Sequence, residues 1–383
     1  MARIPVCTAL ALLLLAGLAR TTPLSAQSAG EALRNGYSEL AGRFDAADVT
    51  QAEMYDRLLA ITESAESAAG RNALRELLIR SMTMSMAEMM AEMHQMGAMD
   101  MGPMPGPFGD LEADAAGDLR TLLQGQSSAV EARGSLSGDG ALTGSAAAVL
   151  AHGRAFQARI YDIYADAGVA DKQAAVDEAI DAYLSDPNSV AAEPKSPILM
   201  YGHPFAGAMK SGYPQVSGLF WASQWLQLAA LEPLMSGGET AAGLNTVIER
   251  YEAKVAGMED VSPVPTEIPM VPAISPLLLS RHPEAAWIID NVNILEFVIA
   301  DLLVHPDVED RDGSIDAVTA EFTDKESNLL VGSMAYRDYL LSALRTGIYN
   351  QGGPALGQLV RSERNRSRME MEMGGHVSLP GMN

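Results

Sequence analysis

The sequence predicts an all-α protein on three observations. Apolar residues recur at helical spacing, capping and stopping residues punctuate them, and no stretch alternates β-branched residues with period two. The architecture expected is a set of bundle-like helical domains joined by a Gly/Met/Pro-rich loop and a Pro-rich linker. Residues 1–26 stand apart from the fold. Arg3, an apolar run over 6–18 and Leu24-Ser25-Ala26 have the layout of a secretory signal peptide cut after Ala26, so the protein is expected in the periplasm or secreted. Cys7, the single cysteine, lies inside that leader. The mature chain then has no thiol and no disulfide, and must hold together by core packing.

Taken in order, Thr50-Gln51-Ala52-Glu53 has the pattern of a capping box opening a helix over about 50–67, with Met54, Leu58, Ile61 and Ala65 on one face. A second helix is expected over 72–96. Asp171 is placed to cap a helix that reaches Leu184 and stops at Ser185-Asp186-Pro187. Residues 216–235 form an apolar, aromatic helix ending at Gly237-Gly238, and 239–256 a shorter amphipathic one. Strong helices follow over 283–304 and 328–346. Residues 97–108 and 124–145 are rich in Gly, Pro and Ser and read as one long connection. Five prolines over 261–276 read as a stiff, extended linker. The resulting division is a helical region over 27–96, a flexible connection over 97–140, a middle domain over 141–259, a linker over 260–276, a C-terminal domain over 277–350 and a loosely ordered tail over 351–383.

With 49 acidic against 26 basic side chains, the net charge of −23 argues against nucleic acid and anionic membrane surfaces as partners. No apolar run after the leader is long enough to span a bilayer. The outlier is methionine. Ten of the 22 lie between Met82 and Met104, and four more between Met369 and Met382. Met82, Met86, Met89, Met93 and Met96 step by 4, 3, 4 and 3, a helix-seam spacing that Leu78 and Ile79 extend upstream, and ordinary packing accounts for it. Packing does not account for Met84, which points away from the seam, for Met99, Met101 and Met104 among Gly and Pro, or for Met369-Glu370-Met371-Glu372-Met373 ahead of His376. Thioether sulfur is a neutral, polarizable donor that suits Cu(I) or Ag(I), and two or three thioethers with an imidazole complete a low-coordinate site.

Three runs carry a resemblance: Met82-Thr83-Met84-Ser85-Met86, Met99-Asp100-Met101 and 369–373. They look like the Met-rich segments of bacterial periplasmic copper- and silver-resistance proteins. The resemblance covers about 40 residues and is compositional. It implies an exported soft-metal binder. Met93, His94 and Met96 would form one nucleus, Met99, Met101 and Met104 its extension, and Met369, Met371, Met373 and His376 another. With only His94 and His376 near the clusters, Cu(I) is favoured over Cu(II). One alternative is a helical interaction or scaffold protein whose Met stripe is a packing or partner-binding seam, and another is an unrecognised periplasmic enzyme.

For the enzyme reading, Asp290, Asn293, Glu296 and Asp301 form a polar stripe on the apolar helix over 283–304. Such a stripe lines a cation site, supplies a general base, pairs with Arg or Lys of a neighbouring helix, or simply faces water. His203, His282 and His305 each precede proline and mark helix ends. Asp310, Asp312 and Asp316 are spaced like part of a calcium loop. Val308 and Thr319 stand where its first and last ligands belong, so a turn capped by Ser314 or Asp312 is expected instead. No zinc-protease, di-iron, nucleophile-elbow, P-loop or dinucleotide motif occurs, which leans the reading away from catalysis.

Overall fold

The computed structural model describes residues 29–83, 106–124, 141–142, 144–195, 207–257 and 268–329, with 81–83 in backbone only. Thirteen α-helices and no strand occur among the described residues, and Lys195 and Leu329 form an isolated bridge. The fold is all-α. No helix among the described residues is long and apolar enough to cross a membrane.

Helices α1 (Glu31–Gly36) and α2 (Ser38–Glu63) open the fold. The capping-box reading is corrected here. Thr50 lies in the middle of α2, and its hydroxyl donates to the Ala46 carbonyl at 2.7 Å instead of receiving a free amide. The helix begins earlier because Leu40, Phe44, Ala47, Gln51, Met54 and Leu58 already keep one face buried. Helix α3 (Ala68–Thr83) covers the first part of the second expected helix, and residues 84–96 lie outside the described set. Leu74 is fully buried and Leu78 packs against the core, but Ile79 is 61% exposed, so it does not continue the core-facing line.

Helix α4 (Asp110–Gln124) overturns the reading of 97–140 as one flexible connection. Ala115, Ala116, Leu119 and Leu123 bury a face against α2 and against α8, the helix Pro214–Ser236. Its length and spacing are those of an amphipathic helix, although Gly, Pro and Ser crowd both of its ends.

Helix α5 (Gly144–Ala165) is followed by α6 (Lys172–Leu184), where the Asp171 carboxylate accepts the Ala174 amide at 3.0 Å, as the capping pattern predicts. After the short α7 (Ala208–Gly212), α8 runs buried from Val216 to Met235 and ends at Gly237, with φ +71°. Helix α9 (Thr240–Gly257) packs back on it. The described part of the proline-rich stretch is no exposed linker. Ile268, Met270, Val271 and Ile274 are buried, and the prolines open two short helices, α10 (Val271–Ile274) and α11 (Pro276–Arg281). Helix α12 (Pro283–Val304) is buried over nearly its whole length. Helix α13 (Arg311–Thr323) is capped by Asp310, whose carboxylate accepts the Gly313 amide at 2.9 Å, so neither Ser314 nor Asp312 is the cap. The helix expected from residue 328 does not start there: Asn328 has φ +52°, Leu329 bridges to Lys195, and the remainder lies outside the described residues.

Four long helices organise the body. Helix α2 packs on α8 and α12, and α5 packs on the same two, which makes a four-helix ring. Helices α4 and α9 cover α8, while α6 and α13 cover the α5–α12 side. Buried side chains from Ala29 to Phe322 join in one apolar core. Each fully buried Leu, Ile or Phe in it contributes about 1.5–3 kcal/mol relative to exposure.

Candidate functional site

The predicted metal ligands Met93, His94, Met96, Met99, Met101, Met104, Met369, Met371, Met373 and His376 all lie outside the described residues. Met54, Met209, Met235 and Met270 are 0–3% exposed and are scattered singly through the core.

The acidic stripe on α12 is not one site. Several helices have no capping side chain of their own, and carboxylates from elsewhere in the sequence, most of them buried, take that place. Asp290 accepts the Val271 amide of α10 at 2.9 Å. Asp301 accepts the Met209 amide of α7 at 2.7 Å. The same device recurs elsewhere. Asp162 takes the Leu33 amide of α1 at 3.0 Å, Glu112 takes the Gln215 amide of α8 at 2.6 Å, and Glu232 takes the Leu277 amide of α11 at 3.2 Å. Burial outweighs these hydrogen bonds in the balance of charge. It pushes Asp290 well above the usual carboxylate range, raises Glu232, and moves Glu112 and Asp301 each up to about 7.

Glu296 has a different partner. At the centre of the ring, Arg154 of α5 donates to Glu296 of α12 and to Gln51 of α2, and reaches Gln227 of α8 at 2.7 Å. Asp48 of α2 stands 3.6 Å away, and Gln227 donates to it at 3.3 Å. Gln224 of α8 donates to the other Glu296 oxygen at 2.9 Å and to the Asn293 carbonyl at 3.1 Å. Tyr55 donates to the Glu296 carbonyl and Tyr161 to the Gln227 carbonyl. Burial alone depresses the Arg154 guanidinium, but Glu296 and Asp48 more than offset this and hold it above its ordinary value. All four helices meet in this cluster, which is closed to solvent. Arg154 and Glu296 are each no more than 3% exposed, so no substrate atom has access to either. Neither polar atom of the Asn293 side chain has a hydrogen-bond partner among the described residues.

Close approach of α5 and α12 makes this centre possible. A Cβ at Gly153 would stand 2.6 Å from Val292 Cγ2. Gly153→Ala is expected to lower stability by about 1–3 kcal/mol, because the stiff valine must give way beside Arg154. A chemical denaturation midpoint unchanged from the parent would contradict that.

The described histidines go to separate places. His152 stacks on Tyr183, His282 meets the Tyr164 hydroxyl at 2.6 Å, and His305 ends α12 and accepts the Asp307 amide. Asp310 and Asp316 are taken by the α13 cap and by Ser145. No metal-holding group of three or more His, Cys, Asp or Glu occurs among the described residues. An open surface cavity of about 540 Å³ lies between α1 and the end of α5, with Glu31, Arg159, Asp162 and Asp166 on its wall. The fold and this centre define an all-α protein built on a four-helix ring with a sealed ionic core. Comparison with protein families, curated proteins and solved structures finds no match.

Proposed function

We propose that the protein is an exported binder of a soft monovalent cation, Cu(I) or Ag(I), held by its methionine-rich segments for metal handling. The observation that carries this reading is the contrast between two uses of methionine. The body buries Met54, Met209, Met235 and Met270 one at a time as packing. Fourteen others crowd into 82–104 and 369–382, in part among Gly, Pro and Glu and without the spacing of a helix face. Thioethers with His94 and His376 suit a soft cation and little else. With residues 1–26 removed as a leader, the chain has no competing thiol. The catalytic alternative loses its motivation, since Asp290 and Asp301 serve as helix caps and Glu296 is paired inside a closed core.

Titrating the mature protein with Cu(I) against a competing chelator tests the proposal. The parent is expected to withdraw Cu(I) from the chelator. A variant with Met99, Met101, Met104, Met369, Met371 and Met373 changed to Leu is expected to bind at least tenfold more weakly. Equal affinity of the two proteins, or none in the parent, would overturn it. A second reading, a partner-binding seam, is favoured by one observation. Leu77 and Ile79, the exposed large apolar residues of the described set, stand on α3 just ahead of the methionine run. On that reading the Leu variant keeps its function.

A further inference from the structure

The chain between α7 and α8 turns through a tight corner, residues 207–216, held by groups from elsewhere in the sequence. Neither helix supplies a capping side chain of its own. From α12, Asp301 Oδ1 takes the Met209 amide at 2.7 Å, with the Gly207 and Ala208 amides also acting on the carboxylate. From α4, Glu112 Oε1 takes the Gln215 amide at 2.6 Å and the Val216 amide at 3.3 Å. Tyr213, between the two grips, shares a 2.7 Å hydrogen bond with the Thr62 hydroxyl, and its ring stacks on Phe108 at 4.5 Å.

Asp301 Oδ2 is buried without a partner among the described residues. Glu112 Oε2 and the Gly212 carbonyl oxygen both lie under 3.0 Å from the point a Cβ on Gly106 would occupy, so only a glycine leaves room for them there. Compensating charge is sparse. Lys210 acts on Asp301 from α7, and His305, one turn along α12, is occupied by the Asp307 amide. Glu112 faces the Tyr213 phenol, with Arg71 and Arg311 acting on that phenol, and no described cation offsets the carboxylate itself. Both carboxyls therefore grip helix starts that favour negative charge, from sites whose burial opposes it.

We propose that the 207–216 corner is a proton-operated clasp, closed while Glu112 and Asp301 are neutral and loosened as they ionise and seek water. Burial has already brought both groups to about 7, so the working range lies below and around neutrality. The closed corner holds protons that the opened, hydrated corner releases, so opening becomes more frequent as pH rises from about 5 to 7 and levels off above. The motion reaches two described anchors. Leu74 of α3 and Phe108 both pack at Gly212, and in sequence they flank residues 84–105. The clasp is independent of whether those residues bind metal.

Hydrogen exchange measured from pH 5 to 8, corrected for intrinsic rates, tests it on the full chain. Opening of peptides over 207–216 is expected to rise up to about tenfold per pH unit for each carboxyl that takes part. Peptides from the middle of α5, which open only with the whole fold, are expected to stay better protected than the corner at every pH. In the Glu112→Gln/Asp301→Asn variant the corner's dependence on pH is expected to vanish while its hydrogen bonds persist. Flat protection in the parent, or a slope that survives in the variant, would overturn the clasp. Should the double variant fold poorly, infrared difference spectra of the parent decide: protonated-carboxyl absorption that falls between pH 6 and pH 8 supports it, and absorption unchanged over that range refutes it.

Discussion

Replacing Arg154 with methionine is expected to lower the free energy of unfolding by about 3–5 kcal/mol, read as a fall in the urea midpoint at unchanged slope. The side chain lost is one whose charge and shape are both in use. Its guanidinium faces Glu296 and Asp48, and it is the donor for the side-chain carbonyls of Gln51 and Gln227. Methionine fills similar volume but leaves Glu296 facing no cation in a closed interior and strands two amide oxygens. An unsatisfied buried acceptor costs about 1–3 kcal/mol, and more when charged. Arg154→Lys retains the charge but not the planar fork that reaches three helices at once, so it is expected to fall between parent and methionine. The Arg154→Met/Glu296→Leu double variant is expected to recover most of the loss, because buried ion pairs are often replaceable by well-packed apolar side chains. A loss below about 1 kcal/mol in the single variant would show that the pair does not hold the ring together.

This centre was only half legible in the amino-acid sequence. Glu296 stands out as an acid in an apolar helix, and so do Asp290, Asn293 and Asp301, but the pattern of one helix cannot name a partner on another. The signal that pointed further was the recurrence of the same spacing. Gln224 and Gln227 lie three residues apart in the apolar α8, as Asn293 and Glu296 do in α12, and Arg154 interrupts the buried face of α5. Two apolar helices with matching polar pairs are candidates to face each other. The helix-capping acids were hidden for a related reason. A local cap leaves a local motif, as at Asp171, whereas Asp290 and Val271 are joined only by folding. Thr50 misled because a hydroxyl that returns to the carbonyl four residues back looks, in sequence, the same as one awaiting an amide. The all-α class needed none of these partners, since it rests on periodicity within single segments.

Stability is expected to fall as pH rises from 5.5 to 8, opposite to the usual acid lability of proteins whose carboxylates are ion-paired. Four buried carboxyls, Glu112, Glu232, Asp290 and Asp301, are raised above their unfolded values, chiefly by burial. In the window between the unfolded and folded values the native state holds protons that the unfolded chain has released. Each further rise in pH therefore favours unfolding. Glu112 and Asp301, at about 7, contribute on the order of 2 kcal/mol each between pH 5.5 and 8. Asp290, placed well above its ordinary range, extends the slope past the point where those two level off. The net charge of −23 acts in the same direction through self-repulsion. Asp186 and Asp324, lowered by local hydrogen bonds, titrate below this window and leave its slope unchanged, while His282, lowered chiefly by burial, acts in the other direction at its acid end. Asp290→Asn isolates the largest member, because asparagine still offers an oxygen to the Val271 amide without a proton to lose. That variant is expected to match the parent near pH 4 and to exceed it increasingly toward pH 8. Urea unfolding at four pH values reads both curves. A parent curve that rises with pH would mean that these carboxyls are ionised in the native protein and that the helix starts they cap, rather than their burial, set their charge.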